Sequence, residues 1–298
     1  MEWIVIALVP AVSWAFANIC DKVLVSRFVR DGVSAGILTN VFSALLVVML
    51  LPFAPLHPLP LGALVLIFLS GAIWGWNRLA YMQGISQEEA TRVVAMMQLS
   101  PVLILLGSAF FFGEVLKPAD FFAFVLILAG IVWISLKKMN KAFHFSPAML
   151  WMALSTVLFA AATLLLKKTE VGDWWSALFW INLGFAAGSV PFLAFPPYYS
   201  SVRKAFSRRA ARLTAILLLI GIFTLIGRAA YFVSLQLAPA AIVSVLASLQ
   251  TVFVFILALL FTRYAPSIIK EDYRSIALLN KFGAIMLLLA GIALLYWG

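Results

Sequence analysis

The chain has 298 residues, of which 65% are apolar and 11% charged, and its mean hydropathy is +1.10. Its 21 Lys and Arg and 11 Asp and Glu are too few to clothe a water-facing surface, so a soluble globular protein is excluded and most of the exterior must face lipid. The formal net charge of +10 comes from basic residues scattered through short loops, a pattern of membrane orientation rather than of nucleic-acid binding.

A helix that crosses a bilayer needs about 20 mostly apolar residues. Ten such runs are expected, at 3–25, 33–55, 61–83, 90–113, 118–136, 147–167, 174–196, 212–235, 239–262 and 279–297. The first begins at Met1-Glu2-Trp3 without a basic leader, and Lys22, Arg27 and Arg30 come after it, so an uncleaved span is expected rather than a signal peptide. The single cysteine, Cys20, permits no intramolecular disulfide and says nothing of the compartment.

In the first span Trp14 and Asn18 stand four apart on one face, and Asp21 and Lys22 follow near its end. Asp21 is a candidate for holding a coupling proton or for pairing with Lys22, although a solvated helix end is the commoner reading. The third span carries Trp74, Asn77, Arg78 and Tyr81 on one face, an aromatic stripe with hydrogen-bonding groups that suits a small polar or anionic ligand. Arginine inside a span is costly and usually faces protein, water or a ligand. An interfacial belt with a snorkelling arginine is the plain alternative.

Ser86 and Glu89 have capping-box spacing and are expected to start the fourth span. Near that span's centre Pro101 removes a backbone donor and frees the carbonyl of Met97, with Gln98 and Ser100 alongside, as in helices that line cavities. Glu114 closes the span, either as a coupling group or as part of a turn. Lys137 to Lys141 mark the boundary after the fifth span, and Pro196-Pro197 and Pro239 bracket the eighth, which carries Arg228 and Tyr231. The ninth is polar at Ser244, Ser248, Gln250 and Thr251 without a proline.

The chain matches itself. At an offset of 150, Arg78, Ala80, Tyr81, Ala90, Val93, Leu99 and Val102 meet Arg228, Ala230, Tyr231, Ala240, Val243, Leu249 and Val252; at 161, Leu128-Ala129-Gly130-Ile131 meets Leu289-Ala290-Gly291-Ile292. The organisation expected is a five-helix repeat over 1–137, a basic linker loop over 138–146 and a second repeat over 147–298. Five is odd, so the second repeat enters the membrane inverted. The fold class is an all-α integral membrane fold of ten transmembrane helices in two inverted repeats, for which alternating access is the default mechanism. The same count places Arg78 and Arg228 in opposite leaflets, as two gates rather than one clamp.

Loops after odd-numbered spans, with the span ends that adjoin them, hold 16 of the 21 Lys and Arg, so both termini are expected outside, in the plasma (inner) membrane of a prokaryote. Both histidines, His57 and His144, lie in loops, and the sequence has no nucleophile elbow, P-loop or metal-ligand cluster. No enzyme activity, cofactor or metal is expected. The partners expected are membrane lipid, a small-molecule solute and a coupling proton, with the chain a monomer or homodimer. A lipid-acting enzyme or a membrane-complex subunit is the rival reading.

Glu89-Ala90-Thr91-Arg92-Val93, Leu99-Ser100-Pro101-Val102, Gly113-Glu114 and Ala129-Gly130 occur in the order that resembles the EamA group of the drug/metabolite transporter superfamily. In the second half Ala240, Val243, Leu249 and Ala290-Gly291 follow the pattern, whereas Arg263-Tyr264 replaces the Gly-Glu pair and Glu271 falls in an inserted loop. The resemblance implies a secondary carrier for metabolites, amino acids or drugs, with a cavity walled by helices 1, 3, 4, 6, 8 and 9.

Overall fold

The computed structural model describes residues 2–87, 97, 99–136, 147–169, 172–264, 283, 286–287 and 289–294. Among these the chain is helical, with no strand. The helices are α1 (Glu2–Arg27), α2 (Gly32–Met49), α3 (Leu61–Gln87), α4 (Ser100–Phe112), α5 (Pro118–Leu136), α6 (Pro147–Lys167), α7 (Trp174–Ser189), α8 (Pro196–Leu237), α9 (Ala240–Ala247) and α10 (Gln250–Tyr264), with a 3₁₀ turn at Val190–Ala194. Residues 289–294 are also helical. Among the described residues six segments are long and apolar enough to cross a membrane: Trp3–Arg27, Gly32–Met49, Leu61–Gln87, Pro147–Lys167, Trp174–Ala194 and Ala210–Leu237. Shorter apolar helices lie at Ser100–Phe112, Pro118–Gly130 and Ala240–Val254.

Local chemistry sets the helix ends. Asp31 caps α2 by accepting from the Ser34 amide at 2.9 Å, and Asp173 caps α7 by accepting from Trp175 and Ser176. Gly113 ends α4 at φ 63°, a left-handed geometry that suits glycine. Pro196 and Pro197 mark the expected break between the spans Trp174–Ala194 and Ala210–Leu237, following the extended Phe195. They occupy the first turn of α8, where a missing amide costs nothing, and the basic stretch expected as a loop is helical.

Ser86 likewise departs from expectation. It sits in the last turn of α3 and donates to the Gln83 carbonyl at 2.8 Å instead of starting the next helix; Glu89 lies outside the described residues. Pro101 falls in the first turn of α4, and the Met97 carbonyl is not free, because Ser100 Oγ donates to it at 2.7 Å.

The ninth span breaks without a proline. The Ser244 and Ser248 hydroxyls bond back to the carbonyls of Ala241 and Ser244, and Leu249 and Thr251 make tight three-residue backbone bonds to Leu246 and Ser248. Serine side chains competing for helix carbonyls loosen the ladder at the turn between α9 and α10.

Helices in lipid gain little from burying apolar surface against one another and associate through close packing of small residues. The tightest approach is between α3 and α7. A Cβ on Gly71 or Gly75 would strike the backbone of Ile181 or Phe185, and one on Gly184 or Gly188 would strike that of Phe68 and Ala72. Two interlocked Gly-x-x-x-Gly faces thus seat the third span against the seventh and fix where the Arg78 face of α3 points.

Candidate functional site

A central cavity of about 830 Å³, open space at its mouth included, is lined from both halves of the chain. α1 contributes Trp14, Ala17 and Asn18, and α3 contributes Trp74, Asn77, Arg78 and Tyr81. Met97 and Ser100 come from the fourth span, Phe159 from α6, Phe185 from α7, Thr224 and Arg228 from α8, and Ser244, Ala247, Ser248 and Gln250 from the broken ninth.

One wall is an ion pair. Arg78 Nη1 and Nη2 reach the two carboxylate oxygens of Asp21 at 2.8 and 2.5 Å, and Nε donates to Thr39 Oγ1 at 3.3 Å. Asp21 is fully buried, so it is neither the solvated helix end of the commoner expectation nor a residue waiting on Lys22. The guanidinium also lies 5.6 Å from the Tyr81 ring centroid, and Tyr81 Oη donates to Asn18 Oδ1 at 3.0 Å. Asn77 is held by α6, donating to the Ser155 carbonyl at 2.7 Å and its hydroxyl at 2.8 Å.

The other wall has no acid among the described lining residues. Arg228 is 2% exposed, donates Nη1 to Asn182 Oδ1, and lies 3.8 Å from the Phe185 ring centroid. Tyr231, one turn on, is not on the cavity surface. It is wholly buried behind it, 5.3 Å from Trp14 and 5.9 Å from both Trp74 and Phe159 between ring centroids, with its hydroxyl 3.3 Å from Thr163 Oγ1. The two tyrosines of the internal match thus make parallel bonds, Tyr81 to α1 and Tyr231 to α6.

Arg78 and Arg228 meet at one cavity, which corrects the expectation of two separate gates: each sits about one turn from the middle of its membrane span, Leu61–Gln87 or Ala210–Leu237, a few ångströms that long side chains cover. Pro101 is buried beside the cavity without lining it, and Gln98 lies outside the described residues.

Glu114 is part of the turn that ends α4, its amide donating to the Ser108 carbonyl at 3.3 Å beside the left-handed Gly113, and its side chain does more. Its carboxylate pairs with Lys167 Nζ at 3.2 Å and accepts from the Ala240 amide at 3.2 Å, while Lys167 also donates to the carbonyls of Leu235 and Ala238, both at 2.9 Å. An acid after α4 is thereby bolted to the end of α6 and to the junction of α8 and α9.

The order of these elements, with a cavity between two sets of helices, has a counterpart in known sequences. The model of the EamA-like transporter family matches residues 1–136 and again residues 146–271. The chain belongs to the EamA-like transporter family. It is therefore an integral membrane protein of two EamA repeats, and its family is one of transporters of small solutes, not enzymes. No curated protein matches the chain. A crystal structure of a protein 18% identical superposes with a TM-score of 0.67 over 98% of this chain and 96% of its own, a likeness of fold.

Several EamA cavity residues escaped sequence reading. Thr224 stands at the position matching Trp74 in the offset of 150, so the repeat could have found it. Phe159, Phe185 and Asn182 carry no motif, and Lys167 resembles any basic helix end. The two Gly-x-x-x-Gly pairs were legible as a packing signal.

Proposed function

We propose that this EamA-like protein is a secondary transporter that carries a small solute through the central cavity by alternating access. The two repeats are inverted halves of a ten-span unit, with boundaries near 1–137 and 147–298, both termini outside, in a prokaryotic plasma membrane. The observation that carries this reading is one cavity with walls from both repeats, holding an arginine from each. Two inverted halves can exchange conformations and present such a site to either side in turn.

Arg228 biases the cavity toward anionic or zwitterionic solutes, with Arg78, whose charge Asp21 offsets, and Trp14, Asn18, Trp74, Asn77, Tyr81, Ser248 and Gln250 as further contacts. Pro101 and Tyr231 support the site from beside and behind it, and Gln98 is a further candidate contact. Asp21 and Glu114 are the candidate coupling groups, since each is an acid tied into a contact between helices.

Thermal stabilisation of the detergent-purified protein across a metabolite panel identifies a ligand, because a ligand that favours the folded state raises its melting temperature. Uptake of that ligand into proteoliposomes then tests transport. Arg78→Gln and Arg228→Gln are each expected to lower uptake and alter ion preference; unchanged flux and preference in both variants would sink the arginine assignment, and absence of flux for a bound ligand would sink the transporter.

A further inference from the structure

Arg78 and Arg228 are in opposite electrostatic states. Both Nη atoms of Arg78 are taken by Asp21, so that pair adds no net charge to the cavity. Arg228 sends Nη1 to a neutral amide oxygen, and its Nη2, shielded from solvent, has no hydrogen-bond partner. Trp74 is 3% exposed, and its Nε1 is likewise buried without a partner. Both side chains line the cavity and share its surroundings: the Trp74 ring packs on Tyr231, one turn from Arg228, and Arg228 lies over Phe185, whose backbone abuts Gly75.

Both orphan atoms are donors, and neither can turn to accept. Among the described lining residues there is no Asp or Glu. A buried cation without counter-charge is held at high cost, and so is each buried donor left unbonded. The group that satisfies all three deficits is an acceptor carrying one negative charge.

We infer that Arg228 Nη2 and Trp74 Nε1 form an anion subsite that takes the carboxylate of a monoanionic solute, the remainder of the solute lying along the Trp14 and Phe159 rings. The inference rests on the cavity being the solute site. A carboxylate offers two oxygens to the two donors as these side chains turn toward it, and its single charge cancels that of Arg228. A dianion such as phosphate would leave one charge uncompensated in a region where Arg78 is already neutralised.

The test uses the full-length protein in detergent, with benzoate, phenylacetate and butyrate each set beside its neutral amide and beside inorganic phosphate. At least one acid is expected to stabilise the protein in preference to its amide and to phosphate. Arg228→Gln is expected to lower affinity for that acid by about tenfold or more and abolish the preference. Trp74→Phe weakens it less, and Arg203→Gln on the exposed start of α8 keeps it. A wild type that prefers none of the acids, or an Arg228→Gln variant that keeps the preference, overturns the subsite. A ligand-free arm guards against loss of folding. Thr224→Glu places a carboxylate one turn before Arg228 and is expected to melt higher than Thr224→Gln, whereas an equal or lower melting temperature overturns the inference. Acid-specific stabilisation without uptake into proteoliposomes would remove the transport reading and leave the subsite standing.

Discussion

Asp21 clasps Arg78 through both carboxylate oxygens, at 2.8 and 2.5 Å, and ties the end of the first helix to the third. Two charges that would each be costly in a membrane protein become one nearly neutral unit, with Thr39 filling a further donor position on the guanidinium.

Because the pair is buried, losing one member strands the other. Asp21→Asn is expected to destabilise the protein by about 3–5 kcal/mol, and the double variant Asp21→Asn/Arg78→Gln by less than the sum of the two single changes. Thermal unfolding in detergent, run as a double-mutant cycle, measures the coupling. Additive losses would contradict a shared ion pair.

The interlocked glycines of α3 and α7 make a steric prediction. Gly71→Val and Gly184→Val each drive a branched side chain into facing backbone and are expected to yield little monodisperse protein. Gly62→Ala meets nothing within 4 Å and is expected to purify like the parent. Size-exclusion profiles separate the outcomes, and well-behaved Gly71→Val protein would refute the close approach.

Glu114 and Lys167 close one end of the molecule across the two repeats. In a Cys20→Ser background with a reporter cysteine at Ala238, which is 6% exposed, Glu114→Gln is expected to speed maleimide labelling several-fold by releasing Lys167 and the Ala240 amide. Equal labelling rates with and without Glu114→Gln would mean that the contact does not hold this end shut.

Asp173 predicts a pH effect outside the spans. Burial, the largest single influence, pushes its carboxyl up, but hydrogen bonds from the Ser176 hydroxyl and amide, His57 and the Trp175 amide together outweigh it and hold it below the usual carboxylate range. A folded value below the unfolded one means the stabilisation is complete above the unfolded carboxyl range, about pH 4, and fades as pH falls through the folded value. Asp173→Ala is expected to cost about 1 kcal/mol at neutral pH, with the gap to wild type narrowing on acidification. A gap constant with pH would show that the charge contributes nothing.

Much of the site was legible because repeat and periodicity are local. The spacing of Trp74, Asn77, Arg78 and Tyr81 put them on one face, and all four line the cavity. Arg228 followed from the offset of 150, and Trp14 and Asn18 from a spacing of four. What failed was the reading of ends and partners. Ser86 had the composition of a cap but continued α3, and the basic stretch after Pro196-Pro197 had that of a loop but belongs to α8. Propensity describes what a residue tolerates at a helix end, and the neighbouring helix decides which end it occupies.

The sequence by itself determined that this chain lies in lipid, is helical and repeats. Each of these follows from satisfying backbone groups within a single segment, and hydropathy reports that directly. Only the tertiary structure decided that Arg78 has an acid while its counterpart Arg228 has none among the described residues, and that Glu114 bolts α4 to α6. Those are contacts between residues 57 and 53 positions apart or absent altogether, chosen by the packing of helices whose small faces interlock, and no local pattern along the chain encodes them.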